Sequence, residues 1–334
     1  MAKKIRNTAL ITLSIIALIS LLVYITFDIS NNIKSKMKKD GFDVVLSNAD
    51  ICTMTIDGNT LWAGGSSGLY KINMNTMTSV KVGDYKFVRS VLFADGTLWV
   101  GYENGLAGIG KTNCTITTKD GLPDNRVNAI IIDKYKQLWI GTWGGAAVFT
   151  NKVIRTYTIK DGLLANMVNV LMQDSSGSIW FGSYVAPRGG ISILRDGKWQ
   201  YFTTNDALEH ANINTIIQRK DNRVIAGGGL YTNGGGTYFD FKIDKWQKTG
   251  TISKKDGLAG EKVRSLFEDS LNRLWVGSEY DGLVIMQGSA VLQKLTVNDG
   301  LPNNEVKVIC EDKNRNIWIG TRAGLLRISI RISN

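Results

Sequence analysis

Several kinds of residue are scarce in this chain, and each scarcity excludes a class of function. There is one histidine, His210, which rules out Cys₂His₂ zinc centres and any site needing two imidazoles. Three cysteines, Cys52, Cys114 and Cys310, lie far apart with no C-x-x-C pair. An odd, scattered set is neither a disulfide framework nor a zinc cluster. Cys52 and Cys310 fall in apolar strand-like runs and read as buried free thiols. Only 3 prolines accompany 36 glycines, and the glycines have no three-residue period. That excludes a collagen-like chain and implies many tight turns. No segment after residue 41 carries helical periodicity. A dense Lys/Arg stripe with interleaved aromatics is also missing, so nucleic acid is not an expected partner.

The net charge of +11 is unevenly placed. Residues 1–41 hold a net +5, leaving +6 for residues 42–334, so the folded part is only moderately basic. Such a face favours an acidic glycan or an anionic envelope surface over a neutral one. Lys3, Lys4 and Arg6 precede an uncharged run, Thr8–Thr26, long enough as a helix to cross a bilayer. The basic flank predicts a cytoplasmic N-terminus (1–7), a transmembrane signal anchor (8–26), a polar tether (27–41) and an exported domain (42–334). The expected localisation is the cell membrane, single-pass, with the domain on the extracytoplasmic side. A cleaved signal peptide is the rival reading. The residues after Val23 offer no small-x-small cleavage site, which favours the anchor.

A tripeptide then recurs: Trp62-Ala-Gly64, Trp99-Val-Gly101, Trp139-Ile-Gly141, Trp180-Phe-Gly182, Trp275-Val-Gly277 and Trp318-Ile-Gly320. Ile225-Ala-Gly227 fills the double gap, giving seven units spaced 37, 40, 41, 45, 50 and 43 residues apart. Each unit reads as four short strands. In the third these are Val127–Asp133, Gln137–Thr142, Gly144–Phe149 and Val153–Ile159, followed by an Asp161-Gly-Leu163 turn. Four strands per period of this length predict an all-β, seven-bladed β-propeller. The runs are near-continuously apolar because a blade is covered on both faces. The motif tryptophans are therefore assigned to core packing between blades, and the motif glycines to a tight strand exit or a close backbone approach.

The ends predict how the ring closes. The Asp-Gly-Leu turn follows the motif Trp by 21 residues after Trp99 and 24 after Trp275, but only 16 residues follow Trp318. The seventh blade thus lacks its outer strand, and Phe42–Ser47, a strand with no blade of its own, is expected to complete it and remove open edges.

The units resemble the two-component regulator propeller repeat, found in extracytoplasmic sensor regions of bacterial hybrid two-component systems. Gly121-Leu-Pro-Asp-Asn-Arg-Val127 leading to Leu138-Trp-Ile-Gly-Thr142 carries the pattern, as does Gly300-Leu-Pro-Asn-Asn-Glu-Val306 leading to Ile317-Trp-Ile-Gly-Thr321. Gly162-Leu-Leu and Gly257-Leu-Ala are weaker copies, and units one, two and five are degenerate. The resemblance implies an extracytoplasmic ligand-sensing or scaffold module, in some relatives one that senses oligosaccharides. No kinase, DNA-binding or linking sandwich domain is expected within the chain, so a signal would pass to a separate membrane partner.

By analogy with other propellers, the ligand is expected at one mouth of the central channel, formed by the Asp-Gly-Leu segments and the residues after each Trp-x-Gly. The candidates there are Tyr102, Trp143, Tyr184, Arg188, Tyr231, Asn233, Glu279, Tyr280 and Arg322. Aromatics with a few charges and amides suit a sugar ring, by stacking and by orienting hydrogen bonds. Two long inserts in adjacent blades, Ser183–Gly190 and Gly227–Gly236, are expected to be loops that form the contact together. The alternative is that they are merely tolerated surface loops.

No catalytic residue, cofactor or metal is assigned. The Gly-rich insert has no phosphate-loop lysine. Asp133, Asp174, Asp269 and Asp312 recur at the end of the inner strand, which suits turn hydrogen bonds. A calcium held in the channel by Asp/Asn turns is compatible with the sequence. Three functions compete: a membrane-anchored ligand-binding sensor, an envelope interaction scaffold, and a propeller enzyme such as a lyase or glycan-active protein with His210 as base.

Overall fold

The computed structural model describes residues 20, 41–150, 153–206 and 208–329. Twenty-eight strands in these residues form seven four-stranded antiparallel sheets. The inner strands are Thr53–Asp57, Ser90–Ala94, Val127–Ile132, Val168–Gln173, Ile213–Gln218, Val263–Glu268 and Val306–Glu311. Consecutive inner strands neighbour one another and the seventh lies against the first, so the sheets close into a ring of seven blades. Phe42–Ser47 pairs antiparallel with Gly324–Ile328 as the outer strand of blade 7. Closure by the N-terminal strand is therefore as expected. The expected anchor at 8–26, residue 20 apart, and almost all of the tether lie outside the described residues. Among the described residues no helix is long and apolar enough to cross a membrane.

The second strand of each blade explains the motif. In blades 3, 4, 6 and 7 it is buried along its whole length. The motif glycine answers to close approach between blades. A Cβ added at Gly101 would lie 2.6 Å from Val127, and one at Gly320 would lie 2.7 Å from Ile51. An equivalent neighbour, the first residue of the next blade's inner strand or the residue two positions before that strand, faces the motif glycine at every blade junction. The tryptophan does more than fill the wedge. Asp133 accepts from Trp139 Nε1 at 2.9 Å, Asp174 from Trp180 at 2.8 Å, Asp269 from Trp275 at 2.8 Å and Asp312 from Trp318 at 2.9 Å. The other carboxylate oxygen of each caps backbone N–H groups of the intervening turn.

The Asp-Gly-Leu turns are single turns of 3₁₀ helix rather than open turns. Thr117, Thr158, Ser253 and Thr296 each form a capping box with the Asp three residues on. The Gly that follows is left-handed, with φ between 104° and 112°, a conformation that costs it little. The Leu then drops into the core, as at Leu122, Leu163, Leu258 and Leu301.

Candidate channel site

Five successive inner strands carry a β-bulge at the same place. The register slips between Val127 and Ala129, Val168 and Val170, Ile213 and Thr215, Val263 and Ser265, and Val306 and Val308. The extra residue is Asn128, Asn169, Asn214, Arg264 or Lys307. Blades 1 and 2 pair without a slip. A bulge leaves one residue out of the ladder and re-aims its side chain. All five side chains line one axial cavity of about 540 Å³, to which every inner strand or the residues bordering it contribute. The three amides also sew blades together. Asn128 Nδ2 donates to the Val168 carbonyl (3.1 Å), Asn169 Nδ2 to Ile213 (3.0 Å) and Asn214 Nδ2 to Val263 (2.9 Å).

Trp143 and Tyr184 roof the cavity beside the amides. Trp143 Nε1 donates to Asn128 Oδ1 at 2.9 Å, and the Arg126 guanidinium lies over its ring at 4.1 Å. Tyr184 accepts from Lys262 Nζ at 3.3 Å. Arg89 of the adjacent blade lies 5.8 Å from the Trp143 ring and pairs with Glu103 at 2.7 Å; further charged pairs are Lys307–Asp50 at 2.7 Å and Arg264–Glu305 at 3.5 Å. Buried Lys262 pairs with Glu279. Burial alone would raise the Asp50 carboxyl, but Lys307 and Ser66 hold it below its usual range. Glu279 is held down in the same way by Lys262 and Tyr280 against its own burial.

The structure separates the nine candidate residues. Trp143 and Tyr184 line the channel cavity. Glu279 and Arg322 line a smaller space next to it, about 440 Å³, with Asp50, Glu305 and Lys307. Tyr280 is 55% exposed and donates to Glu279 at 2.9 Å. Tyr102 packs edge-to-face on Tyr85 at 5.2 Å, and Arg188 is exposed. Tyr231, 70% exposed, and Asn233 sit at the tip of a hairpin. None of these last four borders either cavity.

Gly227–Gly236 is thus not a loop. Its halves pair as strands, Gly228 with Gly235, Gly229 with Gly234 and Leu230 with Asn233. Residues without side chains permit this approach: a Cβ on Gly229 would lie 3.0 Å from Gly234 Cα. Ser183–Gly190 does leave the ladder after Ser183, sending Tyr184 inward and Arg188 out.

The remaining sequence candidates have local roles. His210 Nδ1 accepts from the Asn212 amide at 2.9 Å, and burial together with Lys262 lowers its pKa. Cys52 borders the channel, where burial pushes its thiol up to about 11, and burial pushes Cys310 to about 12. Asp133, Asp174, Asp269 and Asp312 make the turn hydrogen bonds expected of them and also accept from the motif indoles. Among the described residues no group of three or more His, Cys, Asp or Glu could hold a metal.

Sequence reading missed Asn128, Asn169, Asn214, Arg264 and Lys307. Their signal was positional: each follows the Val or Ile that opens an inner strand.

Ring closure, blade count and the axial cavity define a seven-bladed β-propeller with a polar channel. Four of its segments, residues 121–144, 162–185, 257–280 and 300–323, match the two-component regulator propeller family, so the chain carries repeats of that family. No curated protein sequence matches the chain significantly. Among solved structures, it is similar to the extracellular domain of a putative hybrid two-component system from B. thetaiotaomicron. The TM-score is 0.74 and the identity 23%, over 88% of this chain and 41% of that one. The chain thus spans about two-fifths of that domain. It is also similar to PorZ, a surface component of the type-IX secretion system of Porphyromonas gingivalis. There the TM-score is 0.62 and the identity 16%, over 84% and 46% of the two chains. Virginiamycin B lyase from Staphylococcus aureus shares the fold at TM-score 0.65 and 12% identity, over 87% and 100%.

Proposed function

We propose that this chain is an extracytoplasmic sensory propeller that binds a small ligand, an oligosaccharide, in the channel mouth and acts through a separate partner protein. The observation that carries this reading is the run of five bulges converging on one cavity of about 540 Å³. Bulges are costly to a ladder and recur where a side chain must be re-aimed for function. Asn128, Asn169 and Asn214 supply orienting amides, and Trp143 and Tyr184 supply flat faces for a sugar ring. The repeat family and the B. thetaiotaomicron extracellular domain support a sensor. The apolar run Thr8–Thr26 would hold the propeller at the membrane.

A scaffold reading draws on a different observation. Tyr231 and Tyr280 stand 70% and 55% exposed, and exposed tyrosines are favoured anchors at protein interfaces. An enzyme reading has less support, because the single histidine ring nitrogen that could act as a base already accepts the Asn212 amide.

A thermal-shift screen of the full chain separates these readings, using neutral and acidic oligosaccharides, small metabolites and calcium. A ligand at about 100 times its Kd adds about 2.7 kcal/mol. A saturable shift with one sugar class, lost in Trp143→Ala, is the expected result. A panel without any shift, together with a stoichiometric protein captured from membranes, would overturn the sensor reading in favour of the scaffold.

A further inference from the structure

The channel is not uniform around its ring. The bulge residues of blades 3, 4 and 5 are amides, while those of blades 6 and 7 are Arg264 and Lys307. With Arg89 from blade 2, three cations line the cavity, and no carboxylate does. The acids stand outside this lining and hold the cations in place. Arg264 lies 3.5 Å from Glu305 and 4.0 Å from Glu279; Lys307 lies 2.7 Å from Asp50 and 3.5 Å from Glu305. Cations fixed in advance lose little freedom when a ligand arrives.

Two buried polar atoms on cavity-lining residues of neighbouring blades make no hydrogen bond among the described residues: Asn214 Oδ1, and Arg264 Nε, which faces Glu279 Oε2 at 4.0 Å. Asn214 Nδ2 is committed to the Val263 carbonyl, which fixes the amide orientation and makes the free atom an acceptor. One unmet donor on a cation and one unmet acceptor thus belong to successive bulge residues that line the same cavity. The first suits an anion and the second a hydroxyl. The aromatic faces lie on the amide side, with Trp143 in blade 3 and Tyr184 in blade 4.

We propose that the channel takes an acidic sugar, oriented with its carboxylate at Arg264 and Lys307 and its neutral ring between the asparagines and Trp143. This rests on the channel reading above and specifies its ligand. A neutral sugar leaves the cationic side unused. An inorganic anion leaves the amide and aromatic side unused.

Titration calorimetry of the full chain with cellobiose and cellobiouronic acid tests it, since the two differ only in the terminal carboxylate. The acid should bind about tenfold tighter or more at about 20 mM salt, with the advantage shrinking at about 500 mM as screening sets in. Arg264→Gln should abolish the preference, weakening acid binding about ten- to a hundredfold while leaving the neutral sugar nearly unchanged. Lys307→Gln, at the other proposed carboxylate contact, is a second probe should Arg264→Gln fold poorly. Equal binding of both sugars, or a preference that survives both substitutions, overturns the acidic-sugar assignment and leaves the channel reading standing. Sodium sulfate competing as tightly as cellobiouronic acid overturns the sugar half of the proposal. Binding of neither sugar counts against both the proposal and the channel reading.

Discussion

At the scale of single residues, one carboxylate organises each regular blade. Asp312 accepts from Trp318 Nε1 at 2.9 Å and from the Asn314 and Asn316 amides at 2.8 and 3.0 Å, in a position only 6% exposed. Removing it strands a buried indole N–H and two turn amides. Asp312→Ala should therefore cost about 2–4 kcal/mol in urea denaturation. Trp62 is the contrasting case. Blade 1 turns through Gly58-Asn59 with no such carboxylate, and Trp62 Nε1 has no partner. Trp62→Phe should change stability by less than about 1 kcal/mol, whereas Trp318→Phe should cost about 1–3 kcal/mol, because it leaves the buried Asp312 carboxylate short of a donor. His210 gives a pH test. Its ring accepts the Asn212 amide only when neutral, and its pKa lies below the ordinary 6.5. The unfolded chain therefore binds the proton first, and stability falls as pH drops from 6.5 towards the lowered folded value. A melting-temperature profile from about pH 8 to pH 5 should show this loss, and His210→Gln should flatten it.

At the scale of elements, the hydrophobic pattern revealed strands well and irregularities poorly. Trp-x-Gly at a near-constant period reports the second strand of a blade, because burial on both faces and contact with the next blade leave few choices of residue. The Asp-Gly-Leu signal gave the turn but not its helical form, since three residues cannot display a period. The bulges were invisible for a related reason. Asn128, Asn169, Asn214, Arg264 and Lys307 differ in charge, and a polar residue after a valine looks like ordinary alternation. Only the ladder register shows that each is an extra residue. The glycine run in blade 5 misled in the opposite direction. Glycine usually marks a loop, but here it lets two strands run close to blade 6, where a Cβ on Gly234 would lie 2.6 Å from Gly229 Cα and 2.8 Å from the Glu261 carbonyl. Gly234→Ala should therefore cost about 1–3 kcal/mol in chemical denaturation, against little change for Gly250→Ala, where the nearest atom is Tyr238 Cδ2 at 3.9 Å.

At the scale of the molecule, a propeller has no independent half. Each blade buries its faces against two neighbours, so the ring holds only if the last junction closes. That junction rests on Phe42–Ser47 pairing with Gly324–Ile328, on Ile51 donating to Thr321, and on Lys307 meeting Asp50. Deleting residues 42–47 should lower the melting temperature and broaden the transition of the whole ring. An unchanged melting profile would contradict closure by this strand. The same closure brings seven inner strands around one axis, so residues as distant in sequence as Asn128 and Lys307 share a cavity.

That cavity is the centre of the account, and other concave surfaces compete with it. A groove of about 800 Å³ beside Phe42–Ser47, lined also by Val297 and Pro302, is larger, but it is shallow in polar groups that converge. The most direct measurement is a crystal structure of the chain with the sugar that gives the strongest thermal shift. The ligand is expected in the channel, against Trp143 and Tyr184 and within hydrogen-bonding distance of Asn214 and Arg264. Ligand in the outer groove, or at the Tyr231 hairpin with the channel empty, would contradict it.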